Sequence, residues 1–368
     1  MGEAEIKVGM ICNFPPEKAS QGYMLDSLMP FVSGVKFIKI GSLNSDADYK
    51  INLKSFNLSD SIRDIIKKEK LSLLHVHYIA PFFGRRTLNF NLLPLYDLKI
   101  PVVTTIHEVQ YNLKSNLRSF SPYSVLKYFV LRFIQYEIVR KSVFVIVFNH
   151  LMADFLRSIY PPAKVEVIPE PCEKRYEVQK VSSKKIIFFG VFSPGKDVES
   201  LLGAMVYLSG YSLCIVGSLP ESVNYRYLEK IKHLIREMGL ENRVKLITKD
   251  WFSESEKKDF FGRSDVIVLP YSWGPYNSGL IRDACQYGLP MVVTRVGFIW
   301  DPVKRYDLGI VVEPHNAKEL ANAIENVFSK IENYRNNVMS LCLKSDYSQV
   351  ARSYKSIYYS SLGQAEGV

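Results

Sequence analysis

The chain has 368 residues, and its 47% hydrophobic and 23% charged residues are typical of a globular protein large enough for two domains. Its formal net charge of +10 favours an anionic partner, such as phosphate groups, a membrane surface or nucleic acid. No stretch approaches the roughly 18 apolar residues of a membrane span, the start lacks a signal-peptide pattern, and dispersed cysteines without C-x-x-C spacing predict a reduced, cytoplasmic protein.

Short apolar runs alternate with helical patterns along the first half of the chain. The runs typical of buried strands are 6–14, 35–41, 71–80, 101–107 and 143–149. Residues 59–70 have the spacing of an amphipathic helix, with Ser59 or Asp60 as the predicted N-cap. Continuous apolar strands separated by helices predict a parallel sheet that is covered on both faces.

The alternation breaks in the polar, proline-bearing stretch 163–185, which is the best linker candidate. It then restarts with strand-like runs at 185–190, 211–217, 242–248, 265–271, 290–296 and 308–314. The sequence therefore predicts an α/β protein of two Rossmann-like, doubly wound domains joined near residue 170. Ligands of such sheets bind at the carboxyl ends of the strands, so a cleft between the domains is the expected site.

The stretch Gly190-x4-Gly195-Lys196 nearly matches the phosphate-binding loop of P-loop NTPases. The next residue is Asp197, whereas Mg²⁺ ligation in a P-loop requires Ser or Thr there. Asp265, the nearest candidate for a second acid, begins its strand instead of ending it, so the NTPase interpretation is disfavoured. What remains is a strand ending at Gly190, a turn, and Lys196 at the start of a helix, which suits a phosphate. A merely solvated lysine is the alternative.

A second candidate is the turn Asn277-Ser278-Gly279, which follows a strand and opens an apolar helix. Asn277 or Ser278 is the predicted N-cap, and Gly279 permits close approach of a ligand to the backbone. Asp283, one turn further on, could accept hydroxyl hydrogen bonds from a ribose. The alternatives are an ordinary capped helix and a solvated carboxylate.

The histidines offer a third candidate. His75 and His77 share one face of a strand, which could ligate zinc, but no partner motif accompanies them, and a packed or cleft-edge pair is favoured. His107 ends a strand at its carboxyl end, where a parallel sheet places function. Asp46 and Asp48 form a D-x-D in a polar loop, where acids are frequent by chance, so a metal role is not expected.

The segment 122–142 is aromatic-rich and basic, with Lys127, Arg132, Arg140 and Lys141. It could lie on anionic lipid through an apolar face. A helix that simply covers the first sheet is the alternative.

Taken together, these motifs resemble the retaining nucleotide-sugar glycosyltransferases of family 4 ("group 1"), which have the GT-B fold. The similar stretches of the second half keep the family's order over roughly 165–330, and they include VEVIPEPC, IIFFGVFSPGKDVESLLGAM, YSLCIVGSLPE, VKLITKDWFSESEKKDFFGRSDVIVLPY, NSGLIRDACQYGLPMVVTRVGF and LGIVVEPHNAKELANAI. The first half resembles the acceptor-side domain of the family through NFPPEKASQGYMLDSL, LLHVHY and TTIHEVQ.

The resemblance implies two Rossmann-like domains facing across a cleft: an acceptor-side domain (1–168), a donor-binding domain (169–344) and a C-terminal helix (345–368) that returns to the first domain. It implies transfer of a sugar from a nucleotide-sugar donor to a glycan or lipid-linked acceptor with retention of configuration. Neither metal nor cofactor is expected. An anionic membrane surface is a further expected partner, whereas no motif supports nucleic-acid binding.

The resemblance also implies roles for single residues. Lys196 would stabilise the leaving diphosphate, Asp283 would hold the ribose, and His107 would face the donor sugar. The remaining donor-binding positions are Gly190, Gly217, Trp251, Asn277, Ser278 and Gly279. The acceptor-side loop would include Gln21 and Gly22.

Two departures from the family pattern leave another function open. The usual Glu-x7-Glu is represented by Pro275 and Asp283, and the usual arginine after Gly190 is replaced by Val191 and Phe192. Some family members carry a Gln-Ser-Gly-like turn at the first position, which residues 277–279 resemble. A catalytically degenerate protein that acts as a binding or scaffold subunit is the alternative.

Overall fold

The structure is a computed structural model that describes residues 6–17, 20–84, 88–111, 121–173, 183–219, 225–274 and 277–365. It divides into two compact units. Unit 1 comprises Met1–Pro171, Pro275–Asn277 and Tyr347–Val368, and unit 2 comprises Cys172–Gly274 and Ser278–Asp346.

Unit 1 is built around a parallel sheet of seven strands in the order β3–β2–β1–β4–β5–β6–β7. The strands are β1 (Ile6–Ile11), β2 (Val35–Gly41), β3 (Tyr49–Lys50), β4 (Leu73–Tyr78), β5 (Val102–Ile106), β6 (Phe144–Val147) and β7 (Val165–Val167). The helices are α1 (Ser20–Leu28), α2 (Leu58–Glu69), α3 (Ala80–Phe83), α4 (Pro122–Lys141), α5 (His150–Ile159) and the C-terminal helix, which is α13 (Tyr347–Ala365). The 3₁₀ segments are Met29–Phe31 and Phe90–Asp97.

Two predictions for unit 1 are wrong in detail. The stretch predicted as a linker contains β7, a short edge strand whose three residues pair with β6. The N-cap of α2 is Asn57, and neither Ser59 nor Asp60 occupies that position. In both places the sequence signal is only a few residues long, and tertiary pairing decides the outcome.

The C-terminal helix supplies part of the hydrophobic core of unit 1. Tyr354, Ile357 and Tyr358 of α13 are buried with Val8 of β1 and Leu73 of β4. Val8 is paired with Leu73 in the register of the two neighbouring strands, so the two side chains lie together beneath α13. α13 therefore covers the central strands of unit 1.

Unit 2 has a parallel sheet of six strands in the order β10–β9–β8–β11–β12–β13. The strands are β8 (Lys185–Val191), β9 (Ser212–Ser218), β10 (Val244–Lys249), β11 (Val266–Leu269), β12 (Met291–Thr294) and β13 (Gly309–Val312). The helices are α6 (Val198–Tyr207), α7 (Tyr225–Glu237), α8 (Glu254–Gly262), α9 (Leu280–Gln286), α10 (Trp300–Arg305), α11 (Ala317–Ser329) and α12 (Ile331–Lys344).

Each sheet reverses its direction of growth beside its first strand. In unit 1 this switch point lies between β1 and β4, and in unit 2 it lies between β8 and β11. At such a point the loops after the two strands leave toward opposite faces, so a crevice forms at the carboxyl ends. The loops that follow β8 and β11 are therefore the first place to look for a ligand site in unit 2.

Candidate functional site

The loops after β8 and β11 contact each other at the switch point of unit 2. The carbonyl oxygen of Gly195 accepts hydrogen bonds from the backbone N–H of Ser272 (3.1 Å) and of Trp273 (3.2 Å). The Gly190 Cα faces the first turn of α9, because a Cβ built there would lie 3.8 Å from Leu280 Cδ1. The structure thus brings the two motifs singled out in the second half of the sequence to one edge of the sheet.

Lys196 is a buried cation in this edge. Only 7% of its surface is exposed, and its Nζ lies 3.4 Å from the centroid of the Tyr271 ring. The negative face of an aromatic ring attracts an ammonium group, so the Tyr271 ring helps to hold the lysine in place. The solvated alternative for Lys196 is therefore wrong.

The helix begins two residues later than predicted, at Val198. Lys196 ends a 3₁₀ turn, Pro194–Lys196, and Asp197 is the N-cap of α6. The Asp197 carboxylate accepts from Ser200 N (3.3 Å) and lies 2.8 Å from His315 Nδ1. Asp197 is thus a helix cap in place of the hydroxyl of a P-loop.

Gly190 and Gly217 lie on neighbouring strands, β8 and β9, where they are paired. Gly190 has φ 149°, a conformation that favours glycine. A Cβ on Gly217 would lie 2.6 Å from Phe192 Cδ2, so the glycine leaves room for that buried ring. Packing accounts for Gly217, and its role in donor binding stays a prediction.

The turn before α9 differs from its predicted capping. The N-cap is Gly279, and no side chain caps the helix. Ser278 is buried and lies in unit 2, with its Oγ 3.4 Å from Leu280 N. Asn277 is grouped with unit 1, where its Oδ1 accepts from Asn149 Nδ2 at 3.2 Å. Pro275 lies outside the described residues.

Asp283 is buried in α9, so the solvated alternative for it is wrong. Its Oδ1 accepts from Arg282 Nη2 (2.6 Å), and its Oδ2 lies 3.4 Å from Lys257 Nζ of α8. Burial acts to raise the pKa of Asp283, but Arg282 and Lys257 lower it below the usual value. Sequence reasoning missed Lys257, because nothing in the spacing links it to a residue 26 positions away.

Trp251 follows β10, at the same edge of the sheet as the carboxyl ends of β8 and β11. It is partly exposed, at 36%. The α8 helix begins three residues later, at Glu254, and a capping box of Ser253 and Glu256 fixes where the loop ends. An exposed indole at this edge offers a flat apolar surface.

His107 belongs to a buried cluster of three histidines in unit 1. Its Nε2 lies 3.0 Å from His77 Nδ1, and the His77 ring lies 4.7 Å from the ring of His75. Burial lowers the pKa of His75 and of His107 to about 3, and that of His77 well below its usual value. The rings are therefore neutral, and the interpretation of His75 and His77 as a packed pair is confirmed.

Gln21 and Gly22 lie in the first turn of α1, so their prediction as loop residues is wrong. A Cβ on Gly22 would lie 2.1 Å from the carbonyl oxygen of Asn13. Only glycine lets α1 approach the segment that follows β1 so closely. The residue at 22 thus shapes the carboxyl edge of unit 1.

The basic segment is the helix α4, and three of its four cations have partners. Arg132 Nη1 donates to the Tyr111 carbonyl (2.9 Å), Arg140 pairs with Glu137 (2.7 Å) and Lys141 with Asp97 (2.6 Å). One exposed face of α4 carries an apolar stripe formed by Tyr123, Leu126, Phe129 and Phe133. In the described part of the chain no helix is long and apolar enough to cross a bilayer.

The D-x-D motif is structural. Asp48 Oδ2 accepts from the backbone N–H of Lys39 at 2.7 Å, which ties its loop to β2. Among the described residues, no three His, Cys, Asp or Glu side chains are arranged to hold a metal ion.

Family comparisons cover both halves of the chain. A model described as Glycosyltransferase Family 4 matches residues 3–173, and one described as Glycosyl transferases group 1 matches residues 173–338. The N-acetyl-alpha-D-glucosaminyl L-malate synthase of Bacillus anthracis is 21% identical over 326 residues, which are 83% of this chain and 79% of that protein.

Solved structures with the same fold cover nearly the whole chain. Sucrose-phosphate synthase from Thermosynechococcus elongatus has a TM-score of 0.73 at 17% identity, over 98% of this chain and 100% of that one. Anabaena Alr3699/HepE, solved in complex with UDP-glucose, has a TM-score of 0.72 at 14% identity, over 96% and 100%. These likenesses identify the two α/β units as a GT-B fold. The chain belongs to the group 1 glycosyltransferases of family 4.

Proposed function

We propose that this glycosyltransferase transfers a sugar from a nucleoside-diphosphate donor to an acceptor hydroxyl, with retention of configuration and without a metal ion. The observation that carries the proposal is Lys196, a buried ammonium beside the Tyr271 ring at the switch point of unit 2. A bound anion would be stabilised by such a buried cation, because the two charges attract each other strongly where water is excluded. The nucleotide-sugar complex of the Anabaena relative supports a diphosphate as that anion.

The proposed roles of the donor-site residues follow from where charge develops during sugar transfer. As the bond between the sugar C1 and the diphosphate breaks, the sugar becomes oxocarbenium-like and negative charge builds on the leaving diphosphate. Lys196 and the backbone N–H groups near Ser278 and Gly279 would stabilise that charge, because fixed donors in a buried site need no reorganisation. The acceptor hydroxyl then bonds to C1 on the face that the diphosphate leaves, and its proton passes to an oxygen of the departing diphosphate. Lys196 supplies the charge that a metal ion would otherwise provide.

Asp283 would accept hydrogen bonds from the ribose hydroxyls. Arg282 donates to Oδ1 and Lys257 approaches Oδ2. A carboxylate has about four lone-pair sites, so Asp283 can still accept hydrogen bonds from the ribose. Trp251 would stack on the base. The resemblance of the first half to the family assigns His107 to the donor sugar.

A thermal-shift screen tests the proposal directly. The protein is heated with each common nucleoside diphosphate and its sugars, in buffer containing EDTA. We expect stabilisation by one base family, since a ligand bound only to the folded state raises its stability. The donor found in this way is then used in a transfer reaction, and NMR of the product anomeric proton reads its configuration.

Each outcome bears on one part of the proposal. Binding that requires added Mg²⁺ would contradict metal independence, and an inverted product would contradict retention. No response to any nucleotide would favour the degenerate, scaffold function, which the loss of an acid at Pro275 motivates.

We also propose that the acceptor is lipid-linked and is met at an anionic membrane surface. Tyr123, Leu126, Phe129 and Phe133 recur along one exposed face of α4, and Phe90 extends the stripe with its ring 6.5 Å from that of Phe133. Such a face can enter the lipid headgroup region. Lys127 is exposed on α4 and makes no ion pair within the described chain.

Vesicle co-sedimentation tests the membrane proposal. We expect binding to anionic vesicles that falls when Phe129→Ser and Phe133→Ser are combined, and that falls less in Lys127→Ala. The weaker effect of Lys127→Ala follows because one basic residue contributes about 1 kcal/mol near such a surface. Wild-type binding by the double variant would show that the stripe does not contact lipid.

A further inference from the structure

The histidine cluster of unit 1 contains an asymmetry that fixes where its protons lie. His75 has a partner at each ring nitrogen: Tyr358 OH lies 2.7 Å from Nδ1 and Thr105 Oγ1 lies 2.8 Å from Nε2. His77 has a partner only at Nδ1, which is His107 Nε2 at 3.0 Å. Within the described residues, the buried His77 Nε2 has no hydrogen-bond partner.

The contact between His77 and His107 holds a single proton. A hydrogen bond between two imidazole nitrogens needs one N–H and one lone pair, so one ring donates and the other accepts. Both rings are fully buried and neutral, since burial lowers their pKa values. Each ring therefore carries one N–H, and the choice of donor fixes both tautomers.

The unpartnered nitrogen decides between the two arrangements. If His107 donated, the proton of His77 would lie on Nε2, which would be a buried N–H without an acceptor. If His77 donates from Nδ1, only a lone pair on Nε2 is left without a partner. Orphaned buried N–H groups are rarer in proteins than under-satisfied acceptors, so the second arrangement is favoured.

We infer that His77 is a positioning residue that donates from Nδ1 to His107 Nε2 and thereby holds His107 as its Nδ1–H tautomer. His107 then offers an N–H to a ligand oxygen, such as a sugar hydroxyl, and it does not act as a general base through that nitrogen. This role rests on the proposed contact of His107 with the donor sugar.

His75 holds the plane of the His77 ring. Its two hydroxyl partners fix its orientation, and the rings of His75 and His77 lie 4.7 Å apart. Phe148 contacts the other side of the cluster, with its ring 4.9 Å from that of His107. The rings therefore have little freedom to rotate out of the His77–His107 hydrogen bond.

The tautomer can be measured without any assay of activity. In protein labelled with ¹⁵N-histidine, long-range ¹H–¹⁵N NMR at pH 7.5 distinguishes a protonated ring nitrogen from an unprotonated one. We expect His107 to be protonated at Nδ1 and unprotonated at Nε2. Protonation of His107 at Nε2 would overturn the inference, whatever the activity of the enzyme.

Two variants then test whether His77 determines the tautomer of His107. In His77→Asn the side-chain amide can replace the Nδ1–H donor, whereas His77→Phe keeps a ring but has no donor. We expect the Asn variant to retain the Nδ1–H tautomer of His107 and the Phe variant to lose it in part to Nε2–H. An unchanged tautomer in a folded Phe variant would also overturn the inference.

Turnover separates this inference from the proposed function. We expect His77→Phe to lower kcat roughly tenfold or more, as is typical when a group that orients a functional histidine is lost, and His77→Asn to recover most of it. If the tautomer is as inferred but His107→Ala retains full turnover, the sugar contact of His107 fails while the proton arrangement stands.

Discussion

The carboxyl edges of the two sheets share a topology and differ in charge. Both sheets are parallel and reverse direction beside their first strand. The edge of unit 2 carries a buried lysine, Lys196, and the ion-paired Asp283, whereas that of unit 1 carries neutral histidines such as His107. Under the proposed function, the fixed charge of unit 2 would bind an anion, and the neutral histidines of unit 1 would form hydrogen bonds with hydroxyl groups.

The difference arises from the partners that each buried group finds. Lys196 lies against an aromatic ring, and Asp283 has two cations that lower its pKa below the usual value despite burial. The histidines face one another and hydroxyl groups, and burial therefore keeps each ring neutral, with a single N–H. The following predictions test this contrast, from the largest expected effect to the smallest.

The largest effect is expected from Asp283→Ala. The change removes the buried carboxylate that pairs with Arg282 and Lys257, and breaking a buried ion pair typically costs about 3–5 kcal/mol; Lys257 keeps its pair with Glu254. Urea unfolding followed by tryptophan fluorescence measures it, because Trp251, Trp273 and Trp300 all lie in unit 2. The control is Asp259→Ala, which breaks an exposed pair with Arg263. Equal costs for the two variants would show that the buried pairs do not stabilise unit 2.

Mild acid should destabilise unit 1 before unit 2. The pKa values of the cluster histidines are lower in the folded state than in the unfolded chain, so their stability contribution is full above about pH 6.5 and is lost as pH falls toward the folded values. At pH 5.5 each neutral histidine costs about 1.4 kcal/mol. Glu108, whose pKa burial raises, offsets part of this loss. The pKa of Asp283 is lowered, so its contribution persists until pH falls below about 3.8.

Two probes distinguish the units in that experiment. Far-UV circular dichroism reports both units and tryptophan fluorescence reports unit 2. Between pH 7.5 and 5.5 we expect the unfolding midpoint to fall more by circular dichroism than by fluorescence. Identical stability at both pH values would contradict the neutral, buried state of the histidines.

Lys196→Met should remove most activity without unfolding the protein. Methionine keeps the apolar stem and loses the charge, and the loss of one donor to a developing anion typically lowers kcat by about 10²–10³. Lys230→Met, which breaks an exposed pair with Glu199 in the same unit, is the control. Turnover near that of the wild type in Lys196→Met would remove Lys196 from the mechanism.

A smaller effect is expected from Gly217→Ala. The added methyl would lie 2.6 Å from the buried ring of Phe192, and overpacking of this kind typically costs about 1–3 kcal/mol. Gly262→Ala is the matched control, since a Cβ there meets nothing within 4 Å. A neutral Gly217→Ala with weakened nucleotide binding would instead favour a direct role in the donor site.

Periodicity predicted the architecture well because buried parallel strands are long apolar runs. It did not find β3, which is two residues long, or β7, which lies in a polar stretch. Short edge strands depend on pairing with a neighbour rather than on their own sequence. For the same reason the caps of α2 and α9 differ from the predicted residues.

The candidate site was predicted in its parts but not in its contacts. The glycine-rich loop and the turn before α9 stand out locally, so Lys196 and Ser278 could be found in the sequence. Three contacts join residues on different elements: Tyr271 with Lys196, Lys257 with Asp283, and His77 with His107. Such partners follow from the strand order, which no short motif encodes.

The position of α13 in the core of unit 1 has a consequence for biosynthesis. Tyr354 and Tyr358 are made after all of unit 2, yet they are buried against strands that belong to the first part of the chain. While unit 2 is translated, part of the apolar face of the first sheet therefore stays uncovered. Unit 1 is therefore the first unit to begin synthesis, and its core can be completed only after unit 2 has been translated.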